Sequence, residues 1–325
     1  MKKRSLSGIQ ATGKIHLGNY FGAVRNWVDL QDKYDAYYFV ADLHALTTSY
    51  EQGISIKENT YEVVSDLIAS GIEPEKSTLF VQSFLPEHAE LHLILSMITP
   101  LSWLERVPTY KSKMEELKGR DLSTYGFLGY PVLQAADILM YLADAVPVGK
   151  DQAPHLELTR EIARRFNFLY KVDFFKDPED IYTEVPVLPG TDGRKMSKSY
   201  GNAIFLADDE DTVVKKIKTM FTDPQRLKRT DPGDPDVCGI YAFQNIFGQA
   251  DSVYDGCRDA SIGCVDCKKE LLDALLAFLK PIREKREELI SDKAELDRII
   301  AFGNDKARKI AASTVEQIKK IIKIH

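Results

Sequence analysis

The stretch Arg4-Ser5-Leu6-Ser7-Gly8-Ile9-Gln10-Ala11-Thr12-Gly13-Lys14-Ile15-His16-Leu17-Gly18-Asn19-Tyr20 decides how this chain folds. Arg4 to Ser7 reads as a short first strand and the apolar-periodic run from Tyr20 to Leu30 as a helix, so the glycines between them lie in a strand-to-helix turn. Gly18 lets a nucleotide ring approach the backbone closely, and His16 and Asn19 offer neutral donors to phosphate oxygens at the positive helix end. Tyr37 to Asp42, rich in Tyr, Phe and Val, reads as a second strand running into Ala41-Asp42-Leu43-His44, and Ser77 to Ser83 as a third. Functional groups therefore follow strand ends, where open α/β sheets hold their ligands. His44 is a candidate pocket residue, with a core or capping role as the plain alternative.

A second stretch, Gly193-Arg194-Lys195-Met196-Ser197-Lys198-Ser199, sets two lysines three apart between hydroxyls, just after the turn Leu188 to Gly193. Lysines on such a loop can follow the departing oxygens of a triphosphate as charge develops on them, which stabilises a transition state without proton transfer. Taken alone, the stretch reads equally well as a solvated basic loop.

Together the two stretches resemble the paired "HIGH" and "KMSKS" signatures of class I aminoacyl-tRNA synthetases. The first reads His16-Leu17-Gly18-Asn19 here, with Asn in place of the final His, and the second reads Lys195 to Ser199 without departure. Asn followed by Tyr20 resembles the tryptophanyl and tyrosyl branch, and Ser7-Gly8-Ile9-Gln10 looks tryptophanyl. Tyr130-Pro131-Val132-Leu133-Gln134-Ala135-Ala136-Asp137-Ile138-Leu139-Met140-Tyr141 resembles the specificity helix of bacterial tryptophanyl-tRNA synthetases, whose acid at the position of Asp137 accepts the indole N–H. Indole has one donor and no acceptor, so a carboxylate in an apolar pocket favours it and is left unpaired by a phenyl ring. The apolar flanks Ala135, Ala136, Ile138 and Leu139 speak against a solvated helix face. Val146-Pro147-Val148-Gly149-Lys150-Asp151-Gln152 is similar to the family's strand and following loop, with Lys150 standing where an acid is usual.

The resemblance implies an α/β fold: a Rossmann-like parallel-sheet catalytic domain over residues 1–200, ending in the KMSKS loop, followed by an all-helical C-terminal domain over 201–325 that reads the tRNA anticodon. It implies ATP held by Gln10, Ala11, Thr12, Gly18 and Asn19 on one side and by Gly149, Lys150, Asp151 and Val187 at ribose and adenine. Lys195, Met196, Ser197, Lys198 and Ser199 would close over the pyrophosphate, with Mg²⁺ as co-neutraliser and Lys111 assisting. His16, Asn19, Lys195 and Lys198 are then the catalytic groups. Asp137, Tyr130, Gln152 and His44 would bind L-tryptophan, with Gln152 meeting its amino group. The implied reaction is tryptophan activation by ATP and transfer to tRNA-Trp, and the implied assembly is a homodimer.

Composition is consistent with this. A chain of 325 residues with 44% apolar content is long for one domain and can bury a substantial core. No run approaches the roughly 18 apolar residues of a membrane span, and Met1-Lys2-Lys3-Arg4 is followed by no apolar signal core, so the expectation is a cytoplasmic protein without membrane contact. Helices are expected over Ile54 to Ser70, His88 to Thr99 and His155 to Phe166, then Leu271 to Leu279, Leu289 to Ile300 and Ile310 to Ile322. Asp231 to Asp236 is the one linker-like stretch. The net charge of −6 excludes indiscriminate attraction to RNA, but Lys215 to Arg229 carries six basic residues against Asp223, and Asn304 to His325 carries six against two acids. Such patches fit either phosphate contacts or solvated faces.

All four cysteines, Cys238, Cys257, Cys264 and Cys267, fall in one segment with the spacing C-x18-C-x6-C-x2-C. In a cytosolic chain this pattern suggests a metal before disulfides, and zinc, a [4Fe–4S] cluster and free thiols all stay open. A subset of bacterial tryptophanyl-tRNA synthetases is similar, carrying an iron–sulfur cluster on four cysteines with the same last two gaps and a longer first one. Other readings of the whole chain are a tyrosine-specific enzyme, an RNA-binding module that kept the fold, and a nucleotidyltransferase of the HxGH type.

Overall fold

The structure, a computed structural model, describes residues 2–50, 55–108, 110, 122–149, 152–182, 188–247 and 250–324. Strands β1 (Arg4–Gln10), β2 (Asp35–Ala41), β3 (Thr78–Val81), β4 (Ala145–Val148) and β5 (Glu179–Tyr182) form one parallel sheet in the order β3-β2-β1-β4-β5. β1 pairs with β2 along its full length, from Arg4 with Asp35 to Gln10 with Ala41. The chain fills one side of β1 and then crosses to the other, so β1 and β4 flank the switch point, where open sheets leave a crevice beyond their carboxyl ends. β2 reads Ala-Tyr-Tyr-Phe-Val-Ala and is buried along that whole run, as a strand covered on both faces requires.

The helices follow the expected pattern with informative shifts. The first strand runs on to Gln10, past Ser7, because its amides keep finding partners on β2. The first helical stretch begins at Leu17, upstream of the expected Tyr20. Helix α1 (Leu17–Asn19) passes through a π-helical turn (Tyr20–Val24) into α2 (Arg25–Leu30), and the His16 side chain caps its start by accepting from the Asn19 amide. The third strand stops at Val81 because the chain turns into a 3₁₀ stretch (Gln82–Phe84), and the Ser83 amide donates to Asp42 at 2.9 Å. Helices α3 (Asp42–Ser49), α4 (Ile56–Ala69), α5 (Glu87–Ser96), α6 (Leu101–Glu105), α7 (Tyr125–Met140) and α8 (Ala153–Tyr170) cover the sheet.

After residue 200 the described chain is helical: α9 (Glu210–Thr219), α10 (Gly239–Phe247), α11 (Ala250–Arg258), α12 (Cys264–Ser291) and α13 (Lys293–Ile322). The expected single run from Leu289 to Ile300 is broken at Asp292. Its carboxylate accepts from the Glu295 amide at 3.0 Å and so starts a new helix there. α13 then returns to the sheet. Gly303 lies so close to β3 that a Cβ would stand 1.7 Å from the Leu79 carbonyl oxygen, and Asn304 Oδ1 accepts the Val81 amide at 3.0 Å, covering the sheet edge. Both faces of the sheet share their cores with the C-terminal helices, one through Leu271, Leu275 and Leu279 and the other through Ala307, Ala311 and Val315. Among the described residues no helix is long and apolar enough to cross a membrane.

Candidate active site

The turn after β1 is built by backbone bonds. The Thr12 amide donates to the Gln10 carbonyl at 2.8 Å, and Gly13 sits at φ +92°, a left-handed conformation that favours glycine. Ile15 is held twice, its amide donating to Asp66 at 2.6 Å and its carbonyl accepting from Leu206 at 2.9 Å. His16 is buried, and its Nδ1 accepts from the Asn19 amide at 3.1 Å. Burial, and then the charge of Lys198, brings its pKa down to about 4. At neutral pH the ring is therefore uncharged, with Nε2–H left as its donor.

The lysine loop is folded against this turn. Asn202 organises it, accepting from the Ser197 amide at 2.8 Å and donating to Asp192 at 2.7 Å and to the Lys195 carbonyl at 3.2 Å. Met196 is the buried anchor, its sulfur 3.3 Å from the Gly18 amide. Lys198 Nζ donates to the Gly13 carbonyl at 2.8 Å and to Thr12 Oγ1 at 3.1 Å, so the lysine loop meets the turn after β1 across as many as 186 positions of sequence. Burial lowers Lys198 to about 8, opposed by the negative charge of Asp66. Lys195 and Ser199 are exposed on the same loop, and Ser197 Oγ accepts from the Ser199 amide at 3.3 Å.

Beside the turn, a cavity of about 240 Å³ opens beyond the ends of β1 and β4, and Gly8, Gln10, His44, Gln134, Asp137 and Gln152 line it. Asp137, on α7, is only 1% exposed. His44 Nε2 lies 3.1 Å from its Oδ2, His88 Nδ1 lies 2.7 Å from Oδ1, and Gln82 Nε2 lies 2.8 Å from both oxygens. Burial by itself would raise this carboxyl, but the hydrogen bonds from His44 and His88 outweigh it and hold it below the usual carboxylate range. Tyr130 packs edge-on to His44, with ring centroids 6.5 Å apart, and its hydroxyl lies 3.4 Å from His155 Nε2.

Of the expected site residues, Gln10, His44, Asp137 and Gln152 line the cavity, Tyr130 packs against His44, and Thr12, His16, Gly18, Asn19 and Lys198 gather at the turn that follows β1. Ala11 is fully buried beneath the turn, and Gly149 follows β4 with its carbonyl accepting from Gln152 at 2.9 Å. Lys111, Lys150, Asp151 and Val187 lie outside the described residues. Sequence reading missed Gln82, His88 and Tyr141 behind Asp137, and Asp66 beneath the turn. A Pro86-Glu87-His88 helix start gives no local sign that its imidazole pairs with an acid 49 positions on.

The four cysteines also converge. Cys238, Cys257, Cys264 and Cys267 line one small cavity with Arg226, Ile240 and Ile262. Burial raises the Cys257 thiol and pushes Cys267 up to about 11, with the neighbouring thiols adding to both. Arg226 Nη1 lies 3.6 Å from Cys257 Sγ and Gln244 Nε2 lies 3.7 Å from Cys267 Sγ. Among the described residues no three His, Cys, Asp or Glu side chains are gathered closely enough to hold a single metal ion.

Comparison with known proteins agrees with this architecture. Residues 2–280 match the family described as tRNA synthetases class I (W and Y). A tryptophan--tRNA ligase of Thermotoga maritima is 52% identical, with 99% of each chain covered, and one of Fusobacterium nucleatum is 46% identical with 98% of each covered. The crystal structure of a Campylobacter jejuni tryptophanyl-tRNA synthetase complexed with ADP and tryptophan superposes with a TM-score of 0.89 at 38% identity, covering 99% of this chain and all of that one. With its parallel sheet, its paired signatures in contact and full-length relatives of this similarity, the chain belongs to the tryptophanyl-tRNA synthetases, within the class I synthetases for tryptophan and tyrosine.

Proposed function

We propose that this chain activates L-tryptophan with ATP to tryptophanyl-adenylate and passes the tryptophanyl group to the terminal ribose of tRNA-Trp. The observation that carries the reading is a buried acid, Asp137, on the wall of a cavity adjoining a turn on which Lys198 rests. The tryptophan carboxylate is already ionised at pH 7, so it attacks the α-phosphorus without a general base while the bond from that phosphorus to the bridging oxygen breaks and pyrophosphate leaves. Catalysis is then positioning and charge neutralisation. Neutral His16 and Asn19 donate to phosphate oxygens, and Gln10, Ala11, Thr12 and Gly18 hold the nucleotide from one side. Gly149, Lys150, Asp151 and Val187 take ribose and adenine. Lys195 and Lys198, with Met196, Ser197 and Ser199 shaping their loop, follow the pyrophosphate, and Mg²⁺ arriving with ATP would supply further charge neutralisation there. Asp137 accepts the indole N–H, His44 and Tyr130 wall the ring, and Gln152 meets the ammonium.

Residues 1–200 form the catalytic part of this reading and 201–325 the helical part that meets the anticodon, with the basic runs at Lys215–Arg229 and 304–325 as phosphate contacts. For the cysteines the reading is a metal site, with an iron–sulfur cluster ahead of zinc, as in the similar subset of the family. What supports the reading is that all four thiols face one small cavity, with Arg226 turned to Cys257 and the Gln244 amide to Cys267, donors that would meet thiolate charge. Cys238, Cys257, Cys264 and Cys267 would hold it, and the cluster would organise the surrounding helices. Phe84, Leu93, Met97 and Leu101 are each more than half exposed on and beside α5 and α6, which supports a homodimer. The site of action is the cytoplasm.

ATP–pyrophosphate exchange with single amino acids tests the reading. Exchange should depend on tryptophan, and exchange driven by tyrosine alone would overturn the role of Asp137.

A further inference from the structure

The carboxylate of Asp137 is enclosed on every side except the cavity, and the groups behind it have no part in the reaction as derived above. Among the described residues His44 is the one donor to Asp137 that also lines the cavity; Gln82 and His88 are both 0% exposed behind it. A carboxylate can only accept, so the hydrogen between His88 Nδ1 and Oδ1, across 2.7 Å, belongs to the imidazole. On the far side of that ring, Nε2 lies 2.9 Å from the Tyr141 hydroxyl. Burial, with the negative charge of Asp137 adding to it, raises the Tyr141 phenol far above its ordinary value and keeps the hydroxyl as a donor. Tyr141 follows Asp137 by four positions at the end of α7, and its ring stacks on Tyr37 with centroids 5.3 Å apart. One end of the relay is thus fixed to the same helix as the acid it serves.

We propose that His88, braced by Tyr141, is the positioning residue that aims the Asp137 carboxylate at the indole N–H and so sets the preference for tryptophan over amino acids without that hydrogen. The inference rests on the function proposed above. A carboxylate has about four lone-pair directions. His88 holds Oδ1 and Gln82 bridges both oxygens from the interior, so the one direction that faces the cavity is that on Oδ2 beside His44, which a guest can take over from the imidazole. Without the His88 donor, Oδ1 becomes a buried acceptor short of a bond, and the carboxyl turns toward Gln82 or takes a proton. Both outcomes weaken the acceptor that indole needs. Other titratable groups near the pair are His44 on α3, His92 and Glu87 on α5, and Tyr37 on β2 with Arg4 beside it.

Two substitutions separate aim from packing. The amide of His88→Asn falls where Nδ1 was and keeps a donor to Asp137, whereas that of His88→Gln falls nearer Nε2 and loses it. In the full-length chain, His88→Gln should raise the KM for tryptophan in ATP–pyrophosphate exchange about tenfold or more with the KM for ATP within about twofold, and His88→Asn should recover most of the loss. The acid limb of kcat/KM for tryptophan should move to higher pH in His88→Gln, because a carboxyl deprived of its donor protonates sooner. Equal behaviour of the two variants, a parallel rise in both KM values, or an unmoved acid limb would each overturn the inference. If His88→Gln does not fold, Tyr141→Phe removes only the brace and should still raise the tryptophan KM several-fold; an unchanged value sinks the idea. Wild-type exchange that ignores tryptophan would overturn the functional reading itself, a different result from any of these.

Discussion

Arg286 Nε on α12 donates to Asp66 Oδ1 on α4 across 2.6 Å, joining residues 220 positions apart. The other oxygen of Asp66 accepts the Ile15 amide, and Arg286 also meets Glu62. One buried carboxylate therefore ties the C-terminal helices to the turn that carries His16.

Arg286→Met should cost about 3 to 5 kcal/mol at neutral pH, because it leaves the Asp66 charge buried without its partner. Burial holds Asp66 above its ordinary value even with Arg286 present. The folded variant therefore binds more protons than the unfolded chain between the unfolded carboxyl value and the raised folded one, and stability rises as pH falls through that window. Denaturant melts at about pH 5 and pH 7 should show part of the loss recovered at the lower pH. An equal loss at both would mean that Asp66 stays charged.

Lys195→Ala should lower the rate of adenylate formation about a hundredfold or more while ATP affinity changes far less, since an exposed loop lysine acts mainly on charge that appears in the transition state. Single-turnover kinetics beside equilibrium ATP titration would separate the two. Equal losses would make Lys195 a ground-state contact.

Burial lowers Lys198 to about 8, so its ammonium is intact below that pH and is lost above it. The kcat/KM for ATP should fall as pH rises through about 8, reporting the free enzyme. Lys198→Arg should remove this limb, because a guanidinium stays charged throughout. A limb that survives the substitution belongs to another group.

Gly303→Ala would press a methyl group into the Leu79 carbonyl, where the clash is with backbone and no side chain can swing away. The expected loss is about 1 to 3 kcal/mol or more, with α13 loosened from the sheet edge, read as a lower melting temperature and faster amide exchange at Val81. An unchanged melting temperature would show that α13 shifts freely.

Anaerobically purified protein should absorb near 400 nm, a position given to order of magnitude, and should yield iron and sulfide together. Cys267→Ser should abolish both and destabilise the helices around it. Colourless protein with stoichiometric zinc would replace the cluster reading, and metal-free protein of undiminished stability would remove it.

Much of the site was legible because its marks are local. Glycines between a strand and a helix, two lysines three apart and an acid among alanines are properties of short windows, and they located the turn, the loop and Asp137. Element ends were read less well where side chains override periodicity, as His16 and Asp292 do by capping. The surroundings of Asp137 were not legible at all. Its donors lie 49, 55 and 93 positions away, and a histidine or glutamine looks the same in sequence whether it pairs with an acid or with water.

By itself the sequence determined the α/β class, because propensity and period act along the chain, and it carried the family through the resemblance of its short signatures. Only the tertiary structure decided that Lys198 rests on Gly13, that His88 stands behind Asp137 and that Arg286 reaches Asp66. Those partners are selected by burial, which excludes water and leaves each polar group to find its bond in whatever element packs against it.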